Sequence, residues 1–90
     1  MLTILEPARE IPVIADVDVC VVGGSCTGVF AAVRAAKLGA RTAIIEKNNC
    51  FGGVATAGFV NIWHSLENTE HNTQIISGLT ETVIDRLARR

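Results

Sequence analysis

An α/β fold, built on a βαβ unit with parallel strands, is predicted by three observations. A short β-branched apolar run, Asp18-Val19-Cys20-Val21-Val22, stops at Gly23-Gly24. An alanine-rich stretch from Thr27 to Gly39 places Val29, Ala32, Val33 and Ala36 at helical spacing. A second apolar run, Arg41 to Glu46, follows almost at once. Strand, turn, helix and strand in that order make a crossover, and such crossovers are right-handed and join parallel strands.

The elements follow in chain order. Residues 1–16 form an apolar arm with Pro7 and Pro12. Proline cannot donate to a sheet, so the arm is an edge strand or an extended lead-in. The first run lacks polar alternation, which predicts a strand buried on both faces, with Cys20 as a small buried hydrophobe. Gly39 stands where a helix C′ glycine belongs. Lys47 to Gly58 is a loop rich in Asn and Gly, and Phe59 to Leu66 is a candidate short strand. Glu67 to Thr73 is a polar turn with His71 facing solvent. From Ile76 onward, Leu79, Val83, Ile84 and Leu87 share one helical face, with Ser77 or Thr80 as the N-cap. Arg86, Arg89 and Arg90 form the solvated end of that helix. Residues 17–90 make up one unit, since 90 residues allow a single domain at most.

Composition excludes several classes. Nearly half of the residues (49%) are apolar, which suits a folded domain better than a disordered tail. The net charge is −1, so no basic excess draws nucleic acid or an anionic membrane. Arg34, Lys37 and Arg41 interrupt the longest apolar stretch, well short of the roughly 20 residues that span a bilayer. The first residues carry Glu6 and Pro7 and no basic n-region, so a cytoplasmic location is expected. Cys20, Cys26 and Cys50 are odd in number and widely spaced, which argues against a disulfide framework or an iron–sulfur ligand set. No metal site is expected.

The turn Gly23-Gly24-Ser25-Cys26-Thr27-Gly28 carries the chemistry. It follows a strand and opens a helix, the context of the dinucleotide-binding Gly-x-Gly-x-x-Gly pattern. Gly23 holds the first glycine position and Gly28 the third, where a side chain would push the helix off the strand. Ser25 replaces the second glycine; its hydroxyl is small and able to donate to a phosphate. Unpaired amides and the dipole at the helix start attract an anion there. Glu46 ends the second strand, close to the expected ~20 residues after the turn, and its carboxylate accepts from ribose hydroxyls. A carboxylate there disfavours a 2′-phosphate and hence NADP. The bland alternatives are a tight β-to-α turn and an exposed strand-end charge.

Asp18 to Gly24 and Ile44-Ile45-Glu46-Lys47 resemble the ADP-binding unit of FAD-dependent oxidoreductases, flavoproteins of the glutathione-reductase-like Rossmann fold. Gly52-Gly53-Val54-Ala55-Thr56-Ala57-Gly58 resembles the Gly-Gly-x-Ala-Thr segment of the FAD-dependent oxidoreductase family, and Phe59 to His64 and the last helix look like its continuation. The resemblance covers nearly all of Val17 to Arg90 and implies FAD as cofactor. It implies that Gly23, Ser25, Thr27 and Gly28 cradle the pyrophosphate, with Gly24 and Cys26 in the same turn. Glu46 would bind the adenosine ribose with Lys47 beside it, and Gly52, Gly53 and Thr56 would lie toward the ribityl side. A plain flexible loop is the alternative for the glycine pair. Disulfide reductases of this broad fold carry Cys-x4-Cys after the glycine pair; here Cys50 precedes Gly52 and no second cysteine follows. His64 follows Trp63 in a segment implied to approach the flavin, yet no catalytic residue is assigned.

The family's later strands, its Gly-Asp segment and its substrate domain are absent from these 90 residues. The chain is therefore expected to be the incomplete N-terminal portion of an FAD-dependent oxidoreductase, inactive alone. The small-molecule substrate would be bound by regions outside it. A partner chain or self-association is expected to cover the open sheet edge. Two alternatives stay open: a small nucleotide-binding subunit that needs a separate partner chain, and an NAD-binding dehydrogenase fragment.

Overall fold

A computed structural model describes residues 1–89. Arg90, expected at the solvated end of the last helix, lies outside the described residues.

Two strands, β1 (Val19–Val22) and β2 (Thr42–Ile45), pair in parallel with Val19 opposite Thr42 and Val22 opposite Ile45. Helix α1 (Cys26–Lys37) joins them. Asp18 and Arg41 fasten the start of the pair. The Arg41 amide and Nη2 donate to the Asp18 carboxylate at 2.8 and 2.9 Å, and the Asp18 amide donates to the Arg41 carbonyl at 2.9 Å. At the other end, the Gly23 amide donates to the Ile45 carbonyl at 2.8 Å, so the ladder runs up to the glycine turn.

Both ends of α1 are closed by local chemistry. Ser25 is the N-cap, and its Oγ accepts from the Gly28 amide at 3.2 Å. At the far end, the Gly39 amide donates to the Ala36 carbonyl and the Ala40 amide to the Ala35 carbonyl. That pair of bonds is a Schellman motif, and Gly39 supplies its left-handed residue at φ 94°. Arg34 and Lys37 in the last turn complement the helix dipole.

Small residues seat α1 on the sheet. Gly28 and Ala32, one turn apart, are its buried positions. A methyl group placed on Gly28 would meet the Gly23 carbonyl oxygen at 1.8 Å and Val21 Cγ1 at 3.5 Å. Glycine at this position is therefore a steric requirement.

α1 covers one face of the pair only. Along β1, Val19 and Val21 are half-buried while Cys20 and Val22 are exposed, Val22 to 82%. The expectation of a strand buried on both faces, and of a buried Cys20, is thus corrected. The second face meets only the root of the arm, where Val13 and Val17 share a trough with Cys20 and Ile44. The arm itself, residues 1–16, is a lead-in and forms no strand. Its length shows in a radius of gyration of 18.4 Å, against about 12 Å for a compact chain of this size.

Three further expectations are revised beyond β2. The loop holds a single 3₁₀ turn at Gly53–Ala55. Phe59 to Leu66 forms no strand: Phe59 takes φ 55°, outside the extended region, and only an isolated bridge, Glu67 to Gln74, forms nearby. Helix α2 (Leu79–Ala88) is N-capped by Gly78 at φ 74° rather than by Ser77 or Thr80, because the chain enters it through a conformation open to glycine. Leu79, Val83 and Ile84 are half-buried, whereas Leu87 is 64% exposed. The turn at residues 67–73 is exposed as expected, with His71 3.8 Å from the Glu67 carboxylate. Among the described residues no helix is long and apolar enough to cross a membrane.

Two glycines separate steric from conformational demand. Gly28→Ala should destabilise the fold by about 3 kcal/mol, through overpacking against Gly23. Gly39→Ala, with open space around its Cβ but a positive φ, should cost about 1 kcal/mol. Denaturant melts of the two variants check the order; equal losses would contradict it.

Candidate functional site

The glycine turn, the end of β2 and the Gly52-Gly53 loop converge on the backbone of one residue, Gly24. Its amide donates to Glu46 Oε2 at 2.6 Å. Its carbonyl accepts from the Gly52 amide at 2.8 Å, extending a parallel bridge between Ser25 and Gly52. Gly24 has an ordinary φ and is buried, so it is glycine for lack of space. A methyl group there would stand 2.5 Å from Phe51 Cδ1, 2.9 Å from Glu46 Oε2 and 3.0 Å from Glu46 Cβ.

Glu46 is held at both carboxylate oxygens. Oε1 accepts from the Asn48 amide at 2.9 Å while Oε2 holds Gly24. The Asn48 amide, then the Gly24 amide, hold the Glu46 carboxyl below its ordinary value of 4.5; partial desolvation opposes them, and the Lys47 amide and charge assist. The carboxylate is therefore ionised near neutral pH. Each oxygen keeps a lone pair for a further donor.

A cleft of about 380 Å³ opens beside these groups, lined by Gly23, Ser25, Glu46, Lys47 and Gly53 among others. Gly23 turns the chain into it at φ 109°, where a side chain is disfavoured. The start of α1 borders the same cleft through Ser25. Amides in the first turn of a helix have no intrahelical acceptor, and Ser25 Oγ takes only that of Gly28. Those of Cys26 and Thr27 are left for an anion, favoured by the helix dipole. The Ser25 hydroxyl hydrogen also stays available, since Oγ acts as acceptor in the cap.

The remaining expected site residues divide. The Cys26 thiol donates to the Gly52 carbonyl at 2.9 Å, which ties the helix start to the glycine-pair loop. Thr27 is exposed in the first turn. Gly53 abuts Ser25, with a would-be Cβ 3.4 Å from Ser25 Cα. Thr56 does not line the cleft: its hydroxyl donates to the Phe51 carbonyl and closes the loop on itself. Cys50 Sγ lies 3.9 Å from Thr56 Oγ1. His64 is exposed and outside this cluster. Two participants carried no signal in the motif: Asn48, through its backbone amide, and Phe51, through its ring. Among the described residues no cluster of His, Cys, Asp and Glu could hold a metal.

Comparison with known proteins places the chain in a family. The family described as FAD dependent oxidoreductase matches residues 18–90. A dihydrolipoyl dehydrogenase of Trypanosoma brucei brucei is 47% identical over 45 residues, covering 50% of this chain and 9% of that protein. A mitochondrial dihydrolipoyl dehydrogenase of Caenorhabditis elegans is 33% identical over 72 residues, covering 72% of this chain and 14% of that protein. One of Schizosaccharomyces pombe is 32% identical over 66 residues, covering 66% and 13%. The chain thus spans about a tenth of the length of these relatives. No solved structure matches.

The Glu46 latch has a pH signature. Its carboxyl is depressed in the folded state, so the stability it contributes is present above 4.5 and is lost as pH falls through the lower folded value. Denaturant melts of the wild type and Glu46→Gln should differ at pH 7, and the gap should close by pH 3. A gap independent of pH would show that the charge contributes nothing to the fold.

Proposed function

The chain belongs to the FAD dependent oxidoreductase family, and from that premise we propose that its glycine turn, Glu46 and the Gly52-Gly53 loop hold the ADP half of FAD. FAD is the cofactor of the family, and the chain carries the FAD-binding portion of such an oxidoreductase. The observation that carries the assignment of residues is the pair of hydrogen bonds made by the Gly24 backbone. These two bonds bring an ionised carboxylate and a glycine-pair loop to either side of a helix start, around a cleft of about 380 Å³.

The residues present fit the group. Gly23 lines the cleft with open space where a side chain would stand, and close backbone approach at Gly24 and Gly28 brings Glu46 and the helix start beside it. Ser25, Cys26 and Thr27 offer amides to the pyrophosphate, and the Ser25 hydroxyl adds a donor. Glu46 accepts from the ribose hydroxyls with the lone pairs that Gly24 and Asn48 leave free. Gly23 and Gly53 keep the walls low, and Lys47 flanks the adenosine end. Thr56 supports the loop rather than touching the cofactor. When bound, FAD supplies the electron-accepting ring, and the protein supplies orientation and electrostatics.

Oxidoreductase turnover belongs, in this proposal, to a longer polypeptide of which residues 17–90 are one part and residues 1–16 a leading arm. The substrate is a small molecule held elsewhere, and further polypeptide, in the same chain or a partner, covers the open edges of the two-stranded sheet. The polypeptide's place of work is the cytoplasm. The dihydrolipoyl dehydrogenase activity that the relatives' names state is not carried over. The three cysteines are all free, and no second one follows Cys50.

Glu46→Ala should weaken FAD binding about ten- to a hundredfold, through the lost charge-assisted hydrogen bonds. Flavin fluorescence titration of the wild type and the variant measures it, with NAD as the competing ligand. Unchanged affinity would remove Glu46 from the site. Tight binding of NAD without FAD would place the chain among NAD-binding units.

A further inference from the structure

Phe51 stands where the motif assigns nothing. It precedes the glycine pair, is 49% exposed, and is drawn into the site by its neighbours. Its carbonyl accepts from the Thr56 hydroxyl, which fixes the backbone at that point. Its ring lies against Gly24: a point one bond from Gly24 Cα is 2.5 Å from Phe51 Cδ1 and 2.9 Å from Glu46 Oε2. The ring edge and the carboxylate therefore flank the same small volume, beside the 2.6 Å bond from the Gly24 amide to Glu46.

We propose that Phe51 is a positioning residue for the cofactor site: its ring closes the outer side of the Gly24–Glu46 hydrogen bond and fixes the carboxylate toward the ribose. This rests on the ADP-binding assignment above. Two physical effects support it. A ring edge carries partial positive charge, so an aromatic edge beside a carboxylate is favourable, which an aliphatic side chain would not supply. The ring also keeps water from competing for the Gly24 amide, and a hydrogen bond shielded from water is stronger. Phe51 does not line the cleft itself, so it acts through Glu46 rather than by touching the ligand. The charged neighbour acting on Glu46 is Lys47, on the same loop; the first turn of α1 contributes no acidic residue.

The test uses the full chain as wild type, Phe51→Ala, Phe51→Leu, Phe51→Tyr and Glu46→Gln. Two readouts are taken: the Glu46 carboxyl titration by carbon NMR without ligand, and ADP affinity by calorimetry at pH 7. Removal of the ring should move the Glu46 titration midpoint from its wild-type position and weaken ADP binding about fivefold. Tyrosine should restore both; leucine, which fills space without a ring edge, should restore neither in full. A thermal melt accompanies each variant, and Phe51→Leu at wild-type stability keeps the comparison valid if Phe51→Ala unfolds. An unmoved Glu46 midpoint in Phe51→Leu and Phe51→Ala overturns the positioning role, whatever ADP does. A moved midpoint with no ADP binding by the wild type would instead overturn the ADP-binding assignment, and with it the role of Phe51 toward a cofactor.

Discussion

The backbone of Gly24 is the constraint on which the site depends. One bond leaves it on each side, to Glu46 and to Gly52. These partners come from the end of β2 and from the loop beyond it, 22 and 28 residues along the chain. Neither partner reaches the turn unless β1 and β2 are in register, and that register is set by the strand pairing and by the Asp18–Arg41 fork at its start. A one-residue slip would carry Glu46 away from Gly24 and onto the other face of the sheet. The geometry of the cleft is thus a readout of strand register, and the fold and the site cannot be altered separately at this point.

Packing by small residues makes the same demand from the helix side. Gly28 and Ala32 let α1 approach the sheet until Gly28 meets the Gly23 carbonyl. That approach aims the start of α1 at the cleft. A helix held off by one methyl group would carry the Cys26 and Thr27 amides away from Glu46. The chain thus spends its few buried positions on alignment. Little apolar area is enclosed: Ala32 is the one buried hydrophobic residue among those described. Val22, Ile45 and the arm residues Leu2, Ile4 and Ile14 stay exposed.

The βαβ order, the C-terminal end of α1 and the acidic residue after β2 were legible in the sequence because each has a local chemical cause: Gly39 takes a left-handed turn, and Glu46 follows a β-branched run. The start of α1 was not, since Ser25 reads as a stand-in for a glycine while its hydroxyl caps the helix. What else was not legible depends on contacts between distant residues. Cys20 reads as core, but whether its face is covered is decided by elements other than β1. Phe59 to Leu66 has the composition of a strand, yet a strand needs a neighbour, and Phe59 turns away at φ 55°. Gly78 outranks Ser77 and Thr80 as the cap because the backbone entering α2 needs a positive φ. Phe51 and Asn48 act through a ring edge and a backbone amide, which leave no trace in a spacing pattern. Thr56 fits the family pattern in sequence, but its hydroxyl is used inside its own loop.

Ser25 resolves the one departure from the glycine pattern. A glycine at the second position is needed either for a forbidden φ or for room beside a ligand. Here φ is −63° and ψ is 175°, a conformation any residue adopts, so the first need does not arise. The second need is met by direction: the side chain turns back to cap α1 through the Gly28 amide. Glycine could not provide that bond. The cap stabilises a helix whose first turn must stay fixed for its amides to serve an anion, by roughly 1 kcal/mol on the usual scale of N-caps. A side chain added at Gly53 would meet Ser25 Cα and Cβ rather than Oγ. The substitution therefore replaces open space with a stiffer turn, and leaves a hydroxyl hydrogen at the point where the pyrophosphate would be held.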